Sequence, residues 1–263
     1  MKVLHIWNPA GVASILAKYQ SKIFNWKTWV ITRKYYDRYN VTIYGEAIEC
    51  RAFTFKIRAL IKALGFNIIH IHAFDEFIPL LKRLYPSKKI VLHYHGSDIR
   101  GKWKERERFW KKADSILVST PDLLEDAPQH VIYLPNPVDT ELFKPMPKLR
   151  ELGTALYFIK HQRGENIKWA IEVAKKMHLK LTMRDRVKEP IPYNRLPMFL
   201  NKFEYYIDRN YIKSLSKTAL EALACNCKVI RWDEKIVRDF PEENKPENVV
   251  IKLKQIYEQL LSK

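Results

Sequence analysis

The chain has 263 residues, of which 47% are hydrophobic, so it can bury a core in one large domain or two small ones. Its 47 Lys and Arg against 29 Asp and Glu give a formal net charge of +18, which predicts attraction to the phosphates of nucleotides, nucleic acid or anionic lipid. No apolar run is long enough for a membrane-spanning helix, and the three cysteines form neither a disulfide framework nor a zinc pattern. The high charge and seven glycines are a compositional hint of heat adaptation.

The first half of the chain alternates Val- and Ile-rich runs with amphipathic stretches, a pattern that predicts βα units around a mostly parallel sheet. The predicted strands lie at 2–7, 27–32, 68–72, 89–95, 114–118 and 130–134. The predicted helices lie at 12–24, 55–65, 74–84, 103–112 and 120–126. Four prolines then fall in one short span, at Pro135, Pro137, Pro145 and Pro147. Such a span is typical of a stiff connector, so we place a domain boundary after residue 145.

The alternation resumes on a smaller scale after this boundary. The predicted strands are 154–159, 179–184, 203–208 and 227–231, and the predicted helices are 166–178, 193–201 and 218–225. The last segment should form one amphipathic helix, because its apolar residues recur at helical spacing among lysines and glutamates. These patterns predict an α/β fold with two doubly wound halves of unequal size, 1–145 and 146–243, followed by a terminal helix at 244–263.

The stretch KSLSKTALEALACNCKVIRW begins a short helix directly after a predicted strand. In doubly wound sheets ligands bind at the carboxyl ends of the strands, where helix amino termini attract anions. Hydroxyl, ammonium and backbone donors cluster at this helix start, in Ser214, Ser216, Lys217 and Thr218. Together they can bind a phosphate. Thr218 and Glu221 also have the spacing of a capping box, so Glu221 has either this structural role or a role in ligand binding.

Five stretches of residues 1–232 match the motifs of a known family and follow its order. They are NPAGVAS, IVLHYHGSDIRG, VIYLPNPVDTELFKP, IPYNRLPMFLNKFEYYI and TALEALACNCKVI. They resemble the glycine-rich loop, the HGxD strand end, the IPNGVDTxxFxP segment, the VPxEELPxLYxxADVFV segment and the LEAMACGxPVV element of retaining GT-B glycosyltransferases of family 4. The resemblance implies two Rossmann-like domains that face each other across a cleft.

The resemblance also implies an activity. Such a protein moves a hexose from a nucleoside-diphosphate sugar to an acceptor, with retention of configuration and without a metal or other cofactor, the sugar donor being a substrate. Glu221 matches the glutamate that holds the ribose hydroxyls of the donor. His95 and Asp98 of the HGxD match would lie on the acceptor side, and Gly11 belongs to the glycine-rich loop. The acceptor stays open among a glycan, a lipid-linked molecule and a protein.

The donor-site motifs depart from the family pattern. Lys213 stands where the family usually has a second glutamate near the transferred sugar, and Ser214 and Ser216 replace two glycines. The arginine and lysine that flank the diphosphate in the family align with Lys160 and Glu165, and the second of these reverses the charge. The departures keep a second hypothesis open, in which a GT-B-like protein binds a nucleotide or polyanion without turnover.

The sequence therefore predicts the following site. The predicted catalytic residues are His95, Asp98 and Lys160. The predicted donor-binding residues are Gly11, Lys160, Arg163, Lys213, Ser214, Ser216, Lys217, Thr218 and Glu221. We expect Arg163 to act with Lys160 on the diphosphate, since it is close enough in sequence to replace the missing cation.

Two pairs of histidines alternate along neighbouring predicted strands, His70 with His72 and His93 with His95. Period-two spacing sends each pair to one face of its strand, so a metal site with Asp98 as a further ligand is conceivable. We predict no metal, because the resembled enzymes need none and histidines at strand ends are often only hydrogen-bonded. The alternative role of His95 is that of a structural turn residue.

Two basic stretches are candidates for contact with an anionic membrane surface. Helix 55–65 carries an apolar stripe formed by Ile57, Leu60, Ile61 and Leu64. The stretch RGKWKERERFWKK holds Trp103 and Trp110 among lysines and arginines. The alternatives are core-facing helices with a solvated basic side, or stacking on nucleic acid, for which no recognisable motif is present. We expect a cytoplasmic protein that either stays in solution or contacts the inner face of the membrane.

Overall fold

The computed structural model describes residues 1–161 and 164–262 and divides the chain into two compact units. The first unit contains Met1–Pro137 together with the helix that begins at Pro246, and the second unit is Val138–Lys245. The division therefore falls after Pro137, whereas we predicted it after residue 145. The terminal helix, predicted as a separate segment, belongs to the first unit because its apolar face completes the core there.

The first unit is built on a seven-stranded sheet in which every neighbouring pair is parallel. Its strands are β1 (Lys2–Ile6), β2 (Lys27–Arg33), β3 (Glu46–Ile48), β4 (Ile68–His72), β5 (Lys89–Tyr94), β6 (Ser115–Val118) and β7 (Ile132–Tyr133). The strand order is β3-β2-β1-β4-β5-β6-β7, so the direction of winding reverses between β1 and β4. Sequence patterns missed β3, which is only three residues long.

The helices of the first unit cover both faces of this sheet. They are α1 (Val12–Phe24), α2 (Ala52–Ala63), α3 (Ile78–Leu84), α4 (Glu107–Trp110) and α8 (Pro246–Leu261). Apolar residues of α1 and α8 pack on the face that contains Val3, whereas α2 and α3 pack on the face that contains Leu4. Alternate residues of one strand thus enter two separate cores, as the pleat of a strand requires.

Two predicted helices of the first unit are wrong in extent. The stretch at 103–112 is helical only in α4, and the stretch at 120–126 is a 3₁₀ turn at Pro121–Leu124. Both tryptophans of the first stretch are buried, and their indole N–H groups donate to the carbonyls of Leu123 and Trp103, at 3.2 and 2.7 Å. These contacts favour a compact series of turns over a longer helix.

The second unit has a five-stranded sheet of order β12-β11-β10-β8-β9. Its strands are β8 (Glu151–Ile159), β9 (Lys180–Asp185), β10 (Phe203–Ile207), β11 (Lys228–Ile230) and β12 (Ile236–Val237). Its helices are α5 (Ile167–Lys176), α6 (Leu196–Leu200) and α7 (Lys217–Ala224). All neighbouring strands are parallel except β11 with β12, and the winding reverses between β8 and β10. The predicted α/β fold with two doubly wound units is confirmed.

A residue in the left-handed conformation follows the end of α7. Asn226 adopts the left-handed conformation, with a φ of 63°, and the next strand starts two residues later at Lys228. The three cysteines are free thiols, and Cys225 and Cys227 are buried. Among the described residues, no helix combines the length and the apolar character that crossing a membrane requires.

Candidate functional site

The second unit gathers charged residues where three neighbouring strands end. Lys160 follows β8, Arg186 follows β9, and Asp208 with Arg209 follows β10. Because β10, β8 and β9 are adjacent and parallel, their carboxyl ends meet at one edge of the sheet, next to the point where the winding reverses. Such an edge is where doubly wound folds bind ligands.

Helix α7 begins at the same edge and carries Glu221 on its inner side. The Glu221 side chain is 2% exposed, and its Oε1 atom accepts hydrogen bonds from the Tyr193 hydroxyl and the Lys217 ammonium, each at 2.9 Å. A buried carboxylate needs such partners to stay ionised. The carboxylate is therefore held in one orientation from two sides.

The predicted capping box between Thr218 and Glu221 is wrong. The N-cap residue is Ser216, whose hydroxyl accepts from the amide of Ala219 at 3.1 Å. Because the helix begins earlier than predicted, Thr218 lies inside its first turn and its hydroxyl accepts from Arg186 Nη1 at 2.9 Å. Glu221 is then too far along the helix to reach the cap, and it pairs with Lys217 instead.

Several polar atoms at this edge are buried without a hydrogen-bond partner within the described part of the chain. They are Asp208 Oδ1, Arg209 Nε, Asn210 Oδ1 and Ser214 Oγ. The other oxygen of Asp208 accepts from the amide of Ser216 at 2.8 Å, so the residue is anchored to the start of α7. Buried polar atoms are normally paired, so a cluster of unpaired ones suits a site that receives a polar ligand.

The pKa of the Lys160 ammonium group is well below its usual value. Its pKa is lowered to about 8, chiefly because burial desolvates the ammonium and also because the positive charges of Arg186 and Arg209 are nearby. The carboxylates of Asp208 and Glu221 act in the opposite direction. A lysine crowded by two arginines in a partly dry site is a favourable ligand for an anion, because a bound anion relieves the repulsion among the cations.

Glu165, which reverses a charge of the family pattern, holds the loop after β8. Its carboxylate accepts from the amide of Lys160 at 3.0 and 3.2 Å, from the amide of His161 at 2.7 Å and from the Tyr157 hydroxyl at 3.2 Å. This residue therefore positions the backbone that carries Lys160. Arg163, predicted to act with Lys160, lies outside the described residues.

The remaining predicted donor residues have different environments. Ser214 and Ser216 are buried, whereas Lys213 is exposed. Gly11 belongs to the first unit, where it caps α1 in the left-handed conformation with a φ of 77°. Sequence reasoning missed Arg186 and Arg209, although each cation lies within two residues of the end of a predicted strand, and that position was a usable signal.

In the first unit, His95 belongs to a chain of hydrogen-bonded histidines. His5 Nδ1 lies 3.0 Å from His72 Nε2, and His72 Nδ1 lies 3.0 Å from His95 Nε2. The other nitrogen of His95 lies 2.6 Å from Ser119 Oγ, which in turn lies 3.0 Å from His93 Nε2. The rings come from β1, β4 and the end of β5, and all face the same side of the sheet.

Side chains of α1 and α8 also contact these histidines. Gln20 of α1 lies 2.9 Å from His5 Nε2, and the Tyr257 hydroxyl of α8 lies 2.6 Å from His70 Nδ1. Ligand atoms of His5, His70 and His72, and of His72, His93 and His95, approach one another within 4.8 Å. Neither of these groups includes Asp98.

Burial keeps these histidines neutral. It lowers the pKa of His5 to about 4 and that of His95 to about 3, and it lowers the pKa values of His70, His72 and His93 well below the usual range. Neighbouring imidazoles add a smaller effect in the same direction for these last three rings. A neutral ring offers one donor and one acceptor, which allows most of these nitrogens to pair in the interior, while His70 Nε2 and His93 Nδ1 find no partner among the described residues.

Asp98 shapes the turn that follows β5. Its carboxylate accepts from the amides of His95 and Gly96, at 2.8 and 2.5 Å. Burial raises the pKa of Asp98, and these two amides oppose the rise. The catalytic roles assigned to His95 and Asp98 stay predictions.

The two basic stretches differ in their exposure. The predicted apolar stripe of α2 is only partly packed on the core: Leu60 packs against it, Ile57, Ile61 and Leu64 are exposed, and Phe55, Ala59 and Ala63 are buried. Small alanines let the helix approach the sheet closely on that side. Trp103 and Trp110 are only 6% and 5% exposed, so the proposed contact of these rings with a membrane or nucleic acid is wrong.

The fold and part of the sequence match known glycosyltransferases. The family model described as Glycosyltransferase Family 4 matches residues 18–142, which lie almost entirely in the first unit. No curated protein matches the sequence.

Solved structures match over the whole chain. Sucrose-phosphate synthase from Thermosynechococcus elongatus aligns over 100% of both chains with a TM-score of 0.62 and 12% identity. An alpha-glucosyltransferase in complex with UDP and a 13-mer DNA containing a central A:G mismatch aligns over 100% of this chain and 90% of that chain, with a TM-score of 0.62 and 13% identity. An alpha-glucosyltransferase in complex with UDP-glucose and DNA containing an abasic site aligns over 98% and 91%, with a TM-score of 0.57 and 13% identity.

These matches define the fold of the chain. At such low identity the structural likeness establishes the fold alone, which is that of the GT-B glycosyltransferases. The family model supports the resemblance to the family 4 type over residues 18–142.

The buried histidines predict a loss of stability in mild acid. In the unfolded chain they take up protons near their ordinary pKa of 6.5, whereas the folded chain resists protonation down to about 4 for His5 and about 3 for His95. The free energy of unfolding should therefore be largest above about pH 6.5 and fall as the pH drops toward 4, by up to about 1.4 kcal/mol per pH unit for each histidine. Urea unfolding between about pH 7 and 5 measures this slope.

Salt separates this effect from general charge repulsion. About 0.5 M salt screens repulsion among the surface cations but does not reach the buried rings, so the slope should persist. A free energy of unfolding that stays constant between about pH 7 and 5 would contradict the neutral histidine chain.

Proposed function

We propose that the chain is a glycosyltransferase that moves a hexose from a nucleoside-diphosphate sugar to an acceptor. The observation that carries this proposal is the group of cations at the carboxyl edge of the second sheet, where Lys160 interacts with Arg186, Arg209 and Glu221. Three positive charges at one strand edge suit a diphosphate, and a buried, oriented carboxylate suits the hydroxyls of a ribose. The GT-B fold agrees with this assignment.

The cations have a chemical role beyond binding. As the bond to the sugar breaks, the departing nucleoside diphosphate gains negative charge on its β-phosphate. Positive groups that are already in place stabilise this charge more in the transition state than in the ground state. Desolvation is the largest cause of the lowered Lys160 pKa, so the cations act in a partly dry site, where their effect is stronger. We assign the diphosphate to Lys160, Arg186 and Arg209, with Arg163 as a predicted fourth cation.

Glu221 is arranged to bind the ribose. Both of its contacts with described residues, Tyr193 and Lys217, fall on Oε1. Oε2 is therefore the atom that we assign to a ligand hydroxyl, in agreement with the family role of this glutamate. Lys217 pairs with this carboxylate and helps to fix its orientation, which gives this predicted donor residue an indirect role.

The first turn of α7 adds backbone donors. The amide of Ser216 binds Asp208, and the amide of Ala219 binds the Ser216 hydroxyl. The next donors in line are the amides of Lys217 and Thr218, which lie at the positive end of the helix dipole. We assign these two amides, with the buried Ser214 hydroxyl, to the donor phosphates or the transferred sugar. Lys213 is exposed, and its role stays a prediction.

The first unit is assigned to the acceptor, with His95 and Asp98 as the predicted residues on that side. Retention of configuration and independence of metals and other cofactors are part of the proposal by resemblance. We propose no enzyme nucleophile, because Lys213 occupies the position of the family's sugar-facing glutamate.

The alternative is a GT-B-like protein that binds a nucleotide or polyanion without turnover. Glu165 favours it, because this residue holds the loop after β8 where the family has a cation for the diphosphate. Arg186 and Arg209 favour transfer, because they restore positive charge beside Lys160. The two functions share nucleotide binding and differ in the hydrolysis or transfer of the sugar.

We also infer that α2 touches an anionic membrane surface. Phe53, Ile61 and Leu64 are 74%, 64% and 63% exposed, and they form one stripe with Ile57. Arg51, Arg58 and Lys62 flank this stripe. Apolar side chains that enter the headgroup region beside cations that bind lipid phosphates are typical of helices that lie on a membrane. Charge complementarity with the chain, at +18, favours an anionic surface over a protein groove.

Replacement of Glu221 by Gln tests nucleotide binding. One nucleoside diphosphate should stabilise the native protein, by about 2.7 kcal/mol at a hundred times its dissociation constant. Glu221→Gln should weaken that affinity by roughly 10- to 100-fold, because a charged acceptor of the ribose hydroxyls is lost. Thermal shifts across a panel of nucleotides measure both effects.

Glu172→Gln, an exposed change on α5, is the matched control and should leave the affinity unchanged. If no nucleotide stabilises the native protein, the donor site is refuted. If one nucleotide binds but its sugar donors are neither hydrolysed nor used for transfer, the non-catalytic alternative holds.

The pKa of Lys160 predicts a pH dependence of nucleotide affinity. Since the pKa is about 8, the ammonium is charged below that pH and neutral above it, so affinity should decline between about pH 7.5 and 9. Lys160→Gln should bind more weakly and lose this decline. Calorimetric titration over this range checks the prediction, with Lys175→Gln, an exposed change on α5, as the control. An equal decline in the Lys160 variant would show that another group is responsible.

The exposed face of α2 predicts binding to acidic vesicles. Phe53→Ser with Ile61→Ser should reduce co-sedimentation with vesicles that contain phosphatidylglycerol by at least tenfold, because two apolar side chains no longer enter the bilayer, each worth about 1.5 kcal/mol or more. Leu152→Ser with Ile251→Ser removes two exposed apolar residues elsewhere and serves as the control. Equal binding to pure phosphatidylcholine vesicles, or no loss in the α2 variant, would refute the inference.

A further inference from the structure

A cavity of about 390 Å³ opens at the carboxyl edge of the first sheet. Its lining includes Trp7 and Arg33, which end or follow β1 and β2, and Ala73, which follows β4. The winding of this sheet reverses between β1 and β4, and reversals of this kind create the crevice in which doubly wound units bind ligands. The volume lies in the range of small-molecule sites, about 300 to 1,000 Å³.

Aromatic rings form the walls of this cavity. The Trp7 ring stacks on Phe74, with centroids 5.1 Å apart and an angle of 24°, and meets Phe55 edge-on at 5.6 Å. The Tyr36 ring lies 4.6 Å from Trp7 on the outer side and is largely exposed. Flat, rigid aromatic faces of this kind suit a ring-shaped ligand with apolar C–H faces, such as a sugar.

The backbone beneath these walls is strained. Trp7 and Ala73 have φ values of 75° and 59°, in the left-handed region that residues other than glycine rarely adopt. Each is the first residue after a strand, and each is held there by its amide, Trp7 to the carbonyl of Ile31 and Ala73 to that of His93, both at 2.9 Å. Strain that the surroundings impose at two neighbouring strand ends is typical of a binding site.

The cations that line the cavity differ in whether they pair with a carboxylate. Arg106 pairs with Asp75 and with Glu76, and Asp75 also accepts from the Tyr94 hydroxyl at 2.5 Å. These residues form a closed group at one end. Arg33 and Lys56 have no carboxylate partner among the described residues. The Arg33 guanidinium lies 5.4 Å from the Tyr36 ring, and the Lys56 ammonium lies 5.9 Å from the Phe74 ring.

We propose that this cavity is the acceptor subsite and takes a sugar ring that carries an acidic group, either a phosphate or a carboxylate. The ring packs on Trp7 and Phe74, and the acidic group binds Arg33 and Lys56. The aromatic walls explain why the ligand has a ring, and the two cations without a carboxylate partner among the described residues explain why it is acidic. The role as an acceptor subsite rests on the proposed transferase function, whereas the binding of an acidic sugar does not.

Direct binding of simple sugars tests the proposal. Glucose 6-phosphate and glucuronate should bind the native protein at least tenfold more tightly than methyl glucoside, as measured by calorimetry and by saturation-transfer NMR. Arg33→Gln with Lys56→Gln should remove this preference. Arg83→Gln with Lys112→Gln removes two exposed cations of the same unit outside the cavity and should keep it.

A second variant tests the aromatic wall. Trp7→Leu should weaken the binding of acidic and neutral sugars alike by at least tenfold, and its circular dichroism and thermal unfolding show whether it is folded. If Trp7→Leu does not fold, Tyr36→Ser, at an exposed wall position, replaces it with a smaller expected loss. Binding of the two acidic sugars in separate titrations distinguishes phosphate from carboxylate.

The outcomes separate this proposal from the transferase function. Failure of all three sugars to bind, or an acidic preference that survives in the Arg33 and Lys56 variant, overturns the assignment of the cavity. Binding of acidic sugars with the expected losses supports it. If they bind while no nucleotide stabilises the protein, the sugar site stands and the transferase function fails.

Discussion

Neighbouring parallel strands have their carboxyl ends at the same edge of the sheet, and this constraint determines where each unit places its polar and aromatic side chains. A residue that directly follows a strand arrives at the same edge as the residues that follow its neighbours, however far apart they are in sequence. In the second unit the constraint brings together Lys160, Arg186 and Arg209. In the first unit it brings Trp7 beside Phe74. Each unit thus obtains its candidate binding surface from short segments that are separated by complete βα units.

The two units differ in the charge state of their buried basic groups. The buried histidines of the first unit are neutral, and neutral imidazoles can donate to and accept from one another between the sheet and α1. In the second unit burial lowers the pKa of Lys160 only to about 8, and several polar atoms find no partner among the described residues. Most ring nitrogens of the histidine cluster are paired, although His70 Nε2 and His93 Nδ1 find no partner among the described residues, whereas the cations of the second unit are suited to a charged ligand.

The departures from the family motifs acquire specific roles. Glu165 reverses a charge of the family pattern, but its carboxylate organises the loop that carries Lys160. Arg186 and Arg209 supply cations from neighbouring strand ends, so the positive character of the edge is kept with a different set of residues. Lys213 is exposed and leaves the sugar-facing position without a carboxylate, which is the clearest chemical difference from the family pattern.

The sequence alone determined most of the strands and helices in their order, the bounds of α1 and the approximate places of the motifs, because periodicity, turn residues and charge runs act over a few neighbours. It also placed Glu221 and Lys160 among the candidate site residues. Only the tertiary structure decided that Tyr193 and Lys217 hold Glu221, that α8 joins the first unit and that α2 turns most of its apolar stripe outward. These features depend on sheet order and on which faces are covered by other segments, and such contacts between distant residues leave no local pattern in the chain.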